Sequence, residues 1–134
     1  DPQIRTQVWD LVGDLRSRGT TILMSTHYIE EAERLADEVA LMSKGRVIAR
    51  GRPERLIREH AGERTAEVYA APDRRAEVRR NAEAAGLDVR AAGPAVAIVG
   101  AERAENGVVP EEAMMRPASL EDVFVLLTGE ELEV

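Results

Sequence analysis

Two histidines, His27 and His60, are the side chains of this sequence best suited to proton or phosphate chemistry. His27 follows Thr20-Thr21-Ile22-Leu23-Met24-Ser25-Thr26, a short β-rich apolar run, and precedes Glu30 and Glu31 at the head of a helical stretch. A run that is apolar nearly throughout suits a strand covered on both faces, as in a parallel sheet. Its polar end then falls at the C-terminal edge of the sheet, where open α/β folds bind ligands. On position alone, a strand-end cap and a ligand-facing histidine are equally good readings of His27. His60 ends a short helical segment beside Gly62, where a polar or cationic cap is ordinary. The chain has no cysteine, which excludes disulfides, thiolate chemistry and cysteine-based zinc sites.

Positioning these residues requires regular elements, and the sequence punctuates them clearly. Asp1-Pro2 is a helix start, with Asp as cap and Pro in the first turn. Ile4, Val8, Leu11, Val12 and Leu15 recur at helical spacing, and Gly19 ends that helix. A second helix is expected over residues 28–36, its Glu30 and Glu31 complementing the helix dipole. Strands at 38–42 and 47–49 flank the turn Ser43-Lys44-Gly45-Arg46, and a helix at 54–60 follows the break at Gly51-Arg52-Pro53. Ala61-Gly62-Glu63 reads as a linker.

Beyond it come a strand at 65–70 and a helix opened by Asp73, carrying Ala76, Ala82 and Ala85 and stopped at Gly86. Strands at 87–91 and 95–99 flank Gly93-Pro94. Residues 101–116 are the least readable stretch, with a short helix and an edge segment expected near Val108-Val109. Ser119-Leu120-Glu121-Asp122 has capping-box spacing, with Asp in place of the usual Glu or Gln. Leu120, Val123, Phe124 and Leu127 share one face of the helix that follows, and Gly129 stops it. The expected organisation is an α/β part over residues 1–61 and a small α+β domain over 62–134.

Composition narrows the function classes. The 134 residues suffice for one ordinary domain or two small ones, and 44% hydrophobic residues allow a sizeable core. One Trp, two Tyr and one Phe leave almost nothing to stack on bases, and a net charge of −7 opposes nucleic-acid phosphates. A local basic patch around Arg74, Arg75, Arg79 and Arg80 does not reverse that balance. No apolar run approaches the ~20 residues needed to span a bilayer, so contact with a membrane is expected through a partner. The helical pattern is already running at Asp1, which makes the chain read as a piece of something longer.

Four segments in order resemble ABC ATPases. Thr26-His27-Tyr28-Ile29-Glu30-Glu31-Ala32-Glu33 resembles their switch-histidine segment, the H-loop, and Asp1-Pro2 looks like the end of the D-loop. Residues 37–47, from Asp37-Glu38-Val39 to Gly45-Arg46-Val47, are similar to the family's next hairpin, and Gly51-Arg52-Pro53-Glu54 to the turn after it. At the other end, Arg116-Pro117-Ala118-Ser119-Leu120-Glu121-Asp122-Val123-Phe124 with Leu127-Thr128-Gly129 resembles the C-terminal signature of the daunorubicin-resistance type, which serves ABC-2 exporters. Residues 62–112 are supported only by lying between good matches.

The resemblance implies the C-terminal part of a phosphate-loop NTPase core plus a small accessory domain. It implies a subunit that hydrolyses ATP with Mg2+ in its full-length form and couples this to export and multidrug resistance. His27 takes the catalytic role there, donating a hydrogen bond to a γ-phosphate oxygen and helping to hold the attacking water. Asp1 is placed at the interface between two ATPase subunits, a homodimer, and Leu120, Phe124 and Leu127 are structural. The other implied partner is an ABC-2-type membrane permease, which chooses the cargo and holds the subunit at the inner face of the cell membrane. The sequence has no G-x-x-x-x-G-K-[ST] loop, no LSGGQ-like signature and no Asp-Glu pair ending a hydrophobic strand. The fragment alone is therefore expected to bind no ATP and to be inactive. The alternative reading is a non-catalytic regulatory or dimerisation module.

Overall fold

The computed structural model describes residues 2–130 and has a mixed α/β fold in which every strand pairing is antiparallel. Helix α1 (Pro2–Ser17) opens on its proline and is followed by the short helix α2 (Ile29–Leu35). Strands β1 (Val39–Ser43) and β2 (Arg46–Gly51) form a hairpin. At its tip Lys44 and Gly45 both take positive φ, 51° and 76°, the conformation a two-residue turn needs to match strand twist. Helix α3 (Pro53–His60) again begins on a proline.

The remaining strands form one sheet in the order β4-β5-β3-β6. They are β3 (Arg64–Tyr69), β4 (Asp88–Ala92), β5 (Ala95–Val99) and β6 (Met114–Pro117). Strand alternation puts Ala66, Val68, Val96 and Ile98 on one face, where Val78 and Ala82 of helix α4 (Pro72–Ala84) cover them. Thr65 and Val99 point to the other face, under helix α5 (Leu120–Thr128). That last helix also packs on α2 and α3. A single core therefore joins Val39 and Leu41 of β1 and Leu56 of α3 to Leu120, Val123 and Phe124, across the expected boundary at residues 61–62.

Several expectations are corrected. Residues 20–26 form no strand; they have no regular structure and no strand partner among the described residues, and Leu23 is 99% exposed. A strand exists only where a second strand takes up its N–H and C=O groups, and the six strands among the described residues pair only with one another. The edge segment lies at β6 rather than near Val108-Val109, which instead pack, partly buried, against the α4 cluster. The expected linker is tied down: the Ile57 carbonyl accepts from the N–H groups of Ala61 and Gly62, and Ala61 is buried. Glu102 accepts from the N–H groups of Glu63 and Arg64 at 3.0 and 2.9 Å. Gly62, at φ +79°, sits so close that a Cβ there would clash with the Glu102 carboxylate. Leu127 is 39% exposed, and Val125 is buried in its stead. Because α5 is enclosed by helices on one side and the sheet on another, its buried arc is wider than one stripe.

Candidate functional site

His27 stands in the connection between α1 and α2. The Thr26 hydroxyl accepts a hydrogen bond from the Tyr28 backbone N–H at 3.0 Å, closing a small turn around His27. Tyr28 is the N-cap residue of α2 but supplies no side-chain cap, and its carbonyl accepts from Glu31 and Ala32. The imidazole lies on the Tyr28 ring, centroids 4.2 Å apart, and the Arg5 guanidinium sits 4.3 Å from that ring's centroid. His27 is exposed, and among the described residues no hydrogen bond occupies its nitrogens. A free imidazole N–H is what contact with a phosphate oxygen requires. Glu30 and Glu31 lie just beyond it and would not hold an anion, so this stretch offers one donor rather than a complete phosphate cradle.

Helix α2 is held on two sides. On one side Trp9 Nε1 donates to Glu31 Oε2 at 2.7 Å, Arg16 donates to the Leu35 carbonyl at 2.7 Å, and Arg34 lies over the Trp9 ring. On the other, Glu33 Oε1 accepts from the Leu120 backbone N–H at 2.7 Å. Sequence reasoning missed both ties. Trp9 was a weak hint, as an aromatic on an otherwise aliphatic helix, whereas nothing local marks Glu33 as the partner of a residue 87 positions away.

A second group of titratable side chains is buried under α5. Asp122, fully buried, accepts from Arg90 Nε at 2.8 Å, from Arg116 at 2.8 and 2.9 Å, from Thr65 at 2.8 Å and from the Ser119 N–H at 3.0 Å. Burial alone would raise its pKa, but hydrogen bonds and charge from Arg116, then Arg90 and Thr65, outweigh it and hold the carboxyl at about 2. The Asp122 carboxylate in turn pushes the Arg116 guanidinium above its ordinary value. Glu67, which Arg116 also contacts, is lowered: burial opposes this, and the Arg116 and Tyr69 hydrogen bonds prevail. The Asp122 carboxylate accepts five hydrogen bonds from protein donors, so it organises the helix rather than performing chemistry. The spacing of Arg116 and Asp122 within one signature was its only sequence signal; Arg90 had none.

The other predicted residues fall apart in space or outside view. Leu120 is fully buried and Phe124 nearly so, both on α5 in the core. His60 ends α3, partly buried. Asp1 lies outside the described residues. Arg74, Arg75 and Arg79 do not form a free basic patch: Arg74 pairs with Glu77 and Glu112, Arg79 with Glu83, and Arg75 donates to the Gly93 carbonyl. No group of three or more His, Asp or Glu among the described residues could hold a metal ion, and no described helix is long and apolar enough to cross a membrane.

No family model matches the chain. It is 38% identical over 141 aligned residues to the Nod factor export ATP-binding protein I of Ralstonia nicotianae, a match that takes in 98% of this chain and 44% of that protein. The protein of the same name from Mesorhizobium japonicum is 37% identical, over 99% of this chain and 40% of its own length. That from Rhizobium leguminosarum bv. viciae is 39% identical, over 99% and 44%. The chain thus spans less than half the length of the curated relatives it matches.

Proposed function

We propose that residues 1–134 are the closing part of the ATP-hydrolysing subunit of a bacterial ABC exporter, with His27 as its switch histidine. The observation that carries the reading is the state of His27: an exposed, unpaired imidazole on a closed Thr26–Tyr28 turn, within a segment that resembles the H-loop. Its setting agrees, since proteins named for ATP binding and export match along nearly the whole chain. Two exposed surfaces support the same reading. The Ile4, Val8 and Leu11 side of α1 and the unpaired residues 20–26 are what the remainder of an ATP-binding core would bury.

In this reading residues 1–61 finish the nucleotide-binding core and residues 62–134 form an accessory domain of the daunorubicin-resistance type. Asp1 sits at a homodimer interface, and Leu120, Phe124 and Leu127 belong to the structural helix. ATP and Mg2+ are held mainly by other parts of the complete subunit, which works beneath an ABC-2-type permease at the inner face of the membrane. His27 contributes a hydrogen bond where charge develops on the γ-phosphate, which lowers the barrier rather than tightening the ground state.

In the complete subunit, His27→Ala should leave Mg-ATP affinity nearly unchanged and lower kcat by ~10²–10³-fold, the usual cost of one such donor. Normal turnover would reduce His27 to a cap. The 134-residue chain alone should give no saturable heat on titration with Mg-ATP. A micromolar dissociation constant would overturn the assignment of the phosphate-gripping loops to other parts of the subunit.

A further inference from the structure

Helix α2 has seven residues, too few to be stable by itself, so its direction is set by what it is fastened to. His27 stands two residues ahead of it, with only Tyr28 between. Ile29, Ala32 and Ala36 rest against the core built by Leu120, Val123 and Phe124. One directional contact fixes the register of that packing, the hydrogen bond from the Leu120 N–H to Glu33 Oε1. Leu120 is the first residue of α5, and its N–H is among those a helix leaves without an internal partner. The capping box uses the Ser119 hydroxyl for the Asp122 N–H and the Asp122 carboxylate for the Ser119 N–H, which leaves Leu120 to Glu33. Asp122 is itself immobilised by Arg90 and Arg116. The ties run from the sheet, through the start of α5, to α2 and then His27.

The geometry points to Glu33 as a positioning residue for His27, through which the docked last helix aims the imidazole. This rests on the switch reading of His27 and adds to it a role for the accessory domain in turnover. Glu33 touches no substrate; it acts by orienting α2. Its side chain is otherwise open to solvent, so a Gln, whose amide oxygen also accepts, can replace it without burying an unpaired group.

The test uses the complete subunit, with KM, kcat and melting temperature measured together. Glu33→Ala should lower kcat by ~10–100-fold, the scale of a small misplacement of a catalytic group, with KM for ATP nearly unchanged. Glu33→Gln should restore most of the rate. Should Glu33→Ala fail to fold, Glu33→Met keeps the length, loses the acceptor and carries the same expectation. In a double-mutant cycle, Glu33→Ala should cost nothing further once His27 is Ala. An equal loss in both backgrounds would show that Glu33 acts elsewhere and overturn the proposal. Normal turnover for Glu33→Ala, with His27→Ala still impaired, would overturn it while sparing the switch histidine. Normal turnover for His27→Ala would remove both.

Discussion

Helices α1 and α5 carry similar apolar stripes and meet opposite fates. Helix α5 has nine residues and buries Leu120, Asp122, Val123, Phe124 and Val125, whereas α1, with sixteen, buries none. The difference lies in what surrounds them. Helix α5 fits between the sheet and the pair α2 and α3, while α1 meets mainly α2, chiefly through the polar ties of Trp9 and Arg16. Periodicity states which side of a helix is apolar; it does not say whether a surface exists to receive it. Most helical stability in proteins comes from that surface.

The comparison breaks first at Phe124. Phe124→Ala should cost ~3–5 kcal/mol in chemical denaturation, as deletion of a buried aromatic usually does. A change under ~1 kcal/mol would mean that α5 is no better anchored than α1. Acid probes the polar side of the same helix. The Asp122 carboxyl is held at about 2, below the 3.8 of a free Asp, so the unfolded chain binds its proton first. The resulting stabilisation is complete above pH ~4, is lost as pH falls through ~2 and amounts to about 2 kcal/mol. Glu67 and Glu102, also lowered, contribute with the same sign. Denaturation followed from pH 5 to pH 2 should show this loss, and Asp122→Ala should remove the Asp122 part of the slope.

A smaller effect is expected at the cap. Ser119→Ala removes the acceptor for the Asp122 N–H and should cost ~1 kcal/mol by thermal or chemical melting. The smallest belongs to α1. Leu11 is 57% exposed, and Leu11→Ala should change the stability of this chain by no more than ~0.5 kcal/mol. A loss of ~2 kcal/mol or more, the range of a buried leucine, would show that α1 is packed and dissolve the comparison.

Much of the fold was legible because its signals are local. The Lys44-Gly45 turn, Pro2 at a helix start, Gly86 and Gly129 at helix ends and the Ser119–Asp122 box all stand where the sequence placed them, while two helices start one residue early, on Pro53 and Pro72. The errors have non-local causes. Residues 20–26 have strand chemistry but no neighbour, and β6 is a strand because β3 recruits Met114, Met115 and Arg116, none of them β-branched. At the site, His27 and its acidic helix could be read directly. The ties that hold them could not, because Trp9, Glu33 and Leu120 meet only after the chain has closed.

The contact between Glu33 and Leu120 also orders events during synthesis. These residues are 87 positions apart, so at ~5–20 residues per second the ribosome needs roughly 4–17 s to deliver the second after the first. For most of that interval Val39, Leu41 and then Leu56 have been made but lack the helix that covers them. The nascent chain must carry a sticky hairpin until its final helix emerges, which is the window in which a chaperone would be most useful to it.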